Sequence, residues 1–190
     1  MTGGDLADLA APFRHDDEHG GDPDDATGVI ARRLRVGLLL AMGPIVAFGL
    51  ADLALEPSQL GVLYQIKLAA FAWIGASLFC LRIVRSRRAI VLLALLSASI
   101  LYVLSTASAI LGNEPFTTPL LNIAVALATA TLLPWGVWPQ VALVSVATLS
   151  TVVATRSVTG DFALLLSYPN VGVAIGLGVS VFVAAEVERS

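Results

Sequence analysis

The sequence predicts an all-α, polytopic membrane bundle of about six transmembrane helices, with both chain ends in the cytoplasm, and three observations carry that prediction. Hydrophobic residues make up 57% of the chain and charged residues 13%, against about 25% charged in soluble domains, so there is too little charge to cover a water-facing surface. The acidic charge is segregated, with Asp5, Asp8, Asp16, Asp17, Glu18, Asp22, Asp24 and Asp25 all preceding the first apolar run. The rest of the chain is a succession of apolar runs near the roughly 20 residues that a 30 Å hydrocarbon core requires, divided by short polar turns.

Residues 1–29 read as a disordered acidic cytoplasmic tail, because they hold too little apolar material to offset the entropy of ordering. They lack the basic patch and apolar core of a secretory signal, so the first hydrophobic helix itself directs insertion. His15 and His19 flank Asp16, Asp17 and Glu18 at a spacing that could hold a divalent metal on a helix. A solvated acidic segment explains the same residues better, and no metal or cofactor is expected.

The transmembrane domain, residues 30–190, divides into spans at about 36–55, 60–84, 89–111, 120–135, 140–155 and 162–185. The first contains Gly43-Pro44, tolerated in a membrane helix as a kink. The second ends among Arg82, Arg85, Arg87 and Arg88, and the third is the least interrupted. A turn at Gly112-Asn113-Glu114-Pro115 leads to the fourth. Between the fourth and fifth, Pro134, Gly136 and Pro139 predict a turn, and Trp135 and Trp138 suit the membrane interface, where an apolar ring with a polar N–H is at home. A kink there instead would merge two helices into one far longer than a bilayer requires.

Lys and Arg set the orientation, since positively charged loops stay in the cytoplasm. Arg32, Arg33 and Arg35 abut the first span, and Arg82, Arg85, Arg87 and Arg88 lie between the second and third. Both clusters belong inside. Arg156 alone falls on the outer side, near Asp161.

Polar groups within hydrocarbon are expensive and so are functional candidates. Lys67 lies about two turns into the second span and Asp52 near the outer end of the first, so antiparallel neighbours would bring them to similar depth, with Gln65 nearby. The alternative is that Lys67 snorkels to the outer headgroups while Asp52 is already interfacial. Asn122 and Asn170, with Tyr64, Arg156 and Tyr168, could line a shallow outward-facing pocket; interhelical hydrogen bonding explains the same residues better, without a ligand. Gly172, Gly176, Ser180 and Ala184 recur every fourth residue of the last span. Such a stripe admits a close helix, either within the bundle or from a second copy in a homodimer.

The lone Cys80 sits in an apolar run as a small hydrophobe and says nothing about compartment. No Gly-rich phosphate loop, HExxH, GxSxG or CxxC pattern appears, so nothing argues for an enzyme. The basic clusters are explained by topology, which leaves nucleic-acid binding unsupported and the lipid bilayer as the expected partner.

The Arg32-Arg33-Leu34-Arg35 entry, the Leu132-Leu133-Pro134-Trp135-Gly136 turn and the exit through Ala184-Ala185-Glu186-Val187-Glu188-Arg189-Ser190 resemble the membrane-embedded N-terminal sensor region of bacterial signalling proteins: multi-pass histidine kinases, diguanylate cyclases and class III nucleotide cyclases. The resemblance spans about residues 30–190 and rests on architecture more than motif. It implies a bacterial inner-membrane sensor or anchor whose last helix relays a stimulus to a cytoplasmic signalling domain or partner. The sequence stops at Ser190, where such a domain would begin, leaving a truncated product, an excised domain or a stand-alone protein as alternatives. A small transporter or channel using Lys67 and Asp52 is the second expectation, and a ligand-free scaffold subunit the third.

Overall fold

The computed structural model describes residues 23–55, 59–114, 117–161 and 168–189, all of them in helices or the short connections between helices. Six helices follow in order: α1 Pro23–Leu55, α2 Leu60–Ile83, α3 Arg87–Leu111, α4 Thr117–Leu132, α5 Val137–Thr159 and α6 Tyr168–Arg189. Five are long and apolar enough to cross a membrane; α4 is not, by length alone. At 1.5 Å per residue its 16 residues reach about 24 Å, short of the roughly 30 Å hydrocarbon core. The protein is a multi-pass membrane helical bundle.

The ends of the helices follow from local chemistry. α1 starts at Pro23, well before the expected first span. Proline suits a first helical position. Residues 23–29, expected to belong to the disordered tail of residues 1–29, are helical; residues 1–22 of that tail, with the histidine pair, lie outside the described residues. Ser86 caps α3 by accepting from the Ala89 N–H at 3.3 Å. At the other end of α3, Asn113 adopts φ 53° while the Glu114 N–H bonds Ala109 O at 3.0 Å. That pairing satisfies a carbonyl that would otherwise end the helix unbonded. Gly160, at φ 72°, closes α5 in the same left-handed way, its N–H bonding Arg156 O at 3.0 Å.

The helices pack in a ring whose order is not that of the chain: α1, α2, α3, α5, α6, α4 and back to α1. The most extensive contacts join α3 to α5 and α4 to α6. α4 touches α1, α3, α5 and α6, which explains how a short helix is accommodated. The non-helical backbone after it, Leu133 to Gly136, has Leu133, Trp135 and Gly136 buried. Irregular backbone at membrane depth is tolerated where protein covers it.

The core is made of Ile74, Ile90, Leu143, Leu177 and a set of alanines that lets backbones approach: Ala94, Ala126, Ala130 and Ala147. Outward positions such as Leu40, Leu68, Phe79, Leu92, Leu120, Ile175 and Phe182 are exposed and apolar, as a lipid-solvated bundle requires. α1 is the least embedded span.

All seven arginines of the two basic clusters, Arg32, Arg33, Arg35, Arg82, Arg85, Arg87 and Arg88, lie exposed at one end of the bundle, where α1 begins and α2 passes into α3. The α4–α5 turn and the last turn of α6 share this basic end, since Glu188 Oε2 accepts from the Val137 N–H at 3.1 Å. The far end carries the α3–α4 connection and the end of α5.

Candidate functional site

Two sets of polar side chains stand out within the spans. The first lies toward the far end, between α1 and α2. Lys67 Nζ donates to Asp52 Oδ2 in an ion pair, with side chains 11% and 18% exposed respectively. The pair joins two adjacent antiparallel helices at matching depth. Gly49 lies against this pair: a Cβ there would rest in ordinary van der Waals contact with the Lys67 methylenes, at 3.5 Å. One turn of α2 earlier, Tyr64 donates to Gly49 O at 2.9 Å. Gln65 is not part of this group; two residues from Lys67, it points away and is exposed.

Beside the ion pair a cleft of about 450 Å³ opens among α1, α2, α3 and α4, within the usual range for small-molecule sites. Its polar wall is Asp52, Lys67, Ser105, Ser108, Glu114 and Thr118; the rest is apolar, including Pro44, Phe48, Leu121 and Val125. A second cavity of about 260 Å³ continues it toward the basic end. Ala41, Pro44, Leu101, Leu121 and Val125 line both. The continuous groove exists because α1 leans on α2 and touches α3 and α4 less closely.

The second set is a seam of buried hydrogen bonds through the centre. Asn122 of α4 is fully buried, its Nδ2 donating to Ala147 O at 3.1 Å and Thr151 Oγ1 at 2.9 Å on α5. Tyr102 of α3 donates to Asn122 O at 3.3 Å. Thr106 and Ser150 bond each other, linking α3 to α5, and Ser77 and Ser97 do so at 2.9 Å between α2 and α3. Nearer the basic end, Gln140 of α5 is likewise fully buried. Its Nε2 donates to Ala126 O at 2.9 Å and Ser180 Oγ at 3.2 Å, and its Oε1 accepts from Trp135 Nε1 at 3.2 Å. Among the described residues, Asn122 Oδ1, Thr155 Oγ1 and Trp73 Nε1 are buried without a partner.

The two tryptophans of the α4–α5 turn therefore part company. Trp138 is exposed, as an interfacial aromatic would be, but Trp135 is a correction: it is 5% exposed and turned inward. The break in helix at Leu133 to Gly136 swings it under the bundle, where the Gln140 amide needs a donor.

Of the residues expected to line an outward pocket, Tyr64, Asn122, Arg156, Tyr168 and Asn170, the described ones take different places. Tyr64 bonds α1, Asn122 is committed to the α4–α5 interface, and Arg156 is exposed. Asn170 is half-buried near the start of α6, and the Tyr168 side chain lies outside the described residues. The small-residue stripe of α6 divides. Gly176 faces α4, where a Cβ would stand 2.9 Å from Ile123 Cγ2; Ser180 and Ala184 are buried inside the bundle, and Gly172 is exposed. Three of the four thus serve the intramolecular packing. Cys80 is a free, half-buried thiol. Among the described residues no group of three or more His, Cys, Asp or Glu is placed to hold a metal.

At the basic end, α5 is preceded by Gly136, whose φ of 95° favours glycine and whose missing side chain leaves room for Glu188 Oε1, 2.9 Å from where a Cβ would stand. Glu188 thereby supplies from α6 the carboxylate cap that Gly136 cannot, using charge that the start of α5 favours.

No known family model, curated protein or solved structure matches this chain.

Proposed function

We propose that the chain is a membrane sensor or anchor module that passes occupancy of the cleft at the far end to the basic end of α6. In this reading the basic end faces the cytoplasm of a bacterial cell, by the positive-inside rule. The observation that carries it is the double role of α4. One face of α4 lines the cleft with Thr118, Leu121 and Val125, while Ile123, on another face, presses on Gly176 of α6. A ligand that favours one position of α4 must favour the matching position of α6, which is the differential interaction a switch requires. Glu188, bonded to the α4–α5 turn, is where the displacement is read out.

The test is a distance between the two parts of the basic end. With Cys80 replaced by Ala, spin labels at Trp138→Cys and Glu186→Cys report the position of α6 against the α4–α5 turn in lipid nanodiscs. Filling the cleft by Leu121→Trp shifts the distance distribution. A distribution identical to that of the unfilled protein overturns the reading.

The ion pair in the cleft wall favours a second reading, a small transporter in which Lys67 and Asp52 contact the substrate. Solute flux into reconstituted vesicles that disappears with Lys67→Gln supports it, and flux indifferent to that change removes it.

A further inference from the structure

The lower cavity is one leaflet deep and has a cation at its mouth, and we propose that it holds one acyl chain of an anionic phospholipid from the leaflet at the basic end. Among the described residues Arg33 is the one charged residue that lines this space of about 260 Å³. Pro44 lines it too, and from Arg33 to Pro44 α1 advances about 16 Å. That is close to half of the roughly 30 Å hydrocarbon core, the depth that one lipid tail fills.

The walls suit a tail. Apart from Arg33 their polar side chains are Ser97 and Thr129, and both are taken: Ser97 and Ser77 bond each other at 2.9 Å, and Thr129 donates to Ala126 O at 2.9 Å. Entry is from the side. Leu40 and Pro44 on α1 and Ala124 and Ala128 on α4 line the cavity and are all exposed, so the slot between these helices opens onto lipid. One tail enters through it, and the second tail of the same molecule stays in the bilayer.

Charge selects the head. The arginines of the two basic clusters are all exposed, and none is ion-paired with a described residue. The carboxylates that α6 brings to the same end are engaged, Glu186 with Arg189 at 3.6 Å and Glu188 with the Val137 N–H. A guanidinium presents its N–H donors as a fork that fits phosphate oxygens, so Arg33 at the mouth matches a phosphodiester whose tail lies in the cavity behind it. The ammonium of a zwitterionic head would meet the same arginines, whereas a head with net negative charge is attracted by all of them. The upper cleft plays no part in this selection.

Native mass spectrometry of the detergent-purified chain provides the test, with three probes of matched acyl chains: a phosphoglycerol lipid, a phosphoethanolamine lipid and an uncharged diacylglycerol. The intact protein retains one phosphoglycerol lipid about tenfold more tightly than either other probe, equivalent to about 1.4 kcal/mol. Arg33→Gln lowers that preference about fivefold, while the other arginines remain to fix orientation. Arg85→Gln removes an equal charge from the α2–α3 connection, away from the cavity, and changes the preference by less than about twofold. Ala124→Leu with Ala128→Leu, on the exposed rim, fills the slot and lowers retention of all three probes. Equal retention of the phosphoglycerol and phosphoethanolamine lipids by the intact protein, equal losses from Arg33→Gln and Arg85→Gln, or indifference to the rim leucines overturns the assignment. Retention that appears only after Asp16→Asn, Asp17→Asn and Glu18→Gln overturns it as well, and gives the arginines to the acidic N-terminal segment.

Discussion

Replacing Gln140 by Leu preserves side-chain size and removes an amide that ties α5 to α4 and α6. The cost can be worked from what each partner keeps. Ala126 O retains a bond from Thr129 Oγ1 at 2.9 Å, and Ser180 Oγ retains its own donation to Leu177 O at 2.7 Å. The Trp135 indole N–H, 5% exposed as a residue and bonded to Gln140 Oε1, keeps nothing. Leaving one buried donor unpaired costs about 1–3 kcal/mol. The two bonds made by Gln140 Nε2 add about 0.6 kcal/mol each, the average for hydrogen bonds between membrane helices. Gln140→Leu should therefore destabilise the bundle by about 2–4 kcal/mol. Reversible unfolding by SDS in mixed micelles, followed by helical circular dichroism, measures it. The orphaned indole makes a second, sharper demand. Trp135→Phe removes the donor, so the double variant should be more stable than the sum of the single losses predicts, by about 1 kcal/mol. A Gln140→Leu protein within about 0.5 kcal/mol of the unmodified one, or strict additivity in the cycle, would refute the reasoning.

Three further outcomes are expected. Asp52→Lys and Lys67→Asp should each lower the yield of folded protein, because reversing one member places two like charges together in a largely buried setting, at a cost of about 3–5 kcal/mol; the double swap restores the yield, and a double variant no better than either single shows the pair is not what holds α1 to α2. Gly176→Leu should cost about 1–3 kcal/mol in the same SDS assay by driving a side chain into Ile123, whereas Gly172→Leu, with nothing within 4 Å of its Cβ position, should be close to neutral; equal effects would contradict the packing of α6 on α4. Glu188→Ala should speed amide exchange at Val137 and cost about 0.5–2 kcal/mol, with Glu188→Gln intermediate because its amide oxygen still accepts; no change in exchange at Val137 would remove the cap.

The spans could be read from the sequence because the lipid requirement is severe: long apolar runs between polar turns have few other uses. Asp52 and Lys67 could be set side by side by counting residues from the ends of adjacent antiparallel helices. Other features left no such mark. Ser77, Ser97, Thr106, Ser150 and Thr151 look like ordinary membrane-helix residues, since a hydroxyl can satisfy itself on the preceding turn, as Thr106 does on Tyr102 O at 2.9 Å. Their bonds between helices depend on which helices are neighbours. That order, with α3 beside α5 and α4 beside α6, is set by packing across the whole bundle. Gln140 directly follows Pro139 in the first turn of α5, so its burial is invisible until the Leu133 to Gly136 segment is seen to fold inward. The every-fourth-residue stripe of α6 identified a close-packing face but could not say that α4 would occupy it.

The hydrogen bonds of Gln140 and Glu188 also bear on how the protein is made. Spans leave the insertion machinery in chain order, so α5 enters the membrane before α6 exists beside it. Until then the amide of Gln140 lacks the Ser180 hydroxyl, and the Val137 N–H lacks the Glu188 carboxylate. Within the α4–α5 hairpin each of these two donors is thus one partner short, and arrival of the final span supplies both together. Assembly is closed by its last step, and a chain cut short before α6 would leave a hairpin that quality-control proteases can recognise by those missing bonds.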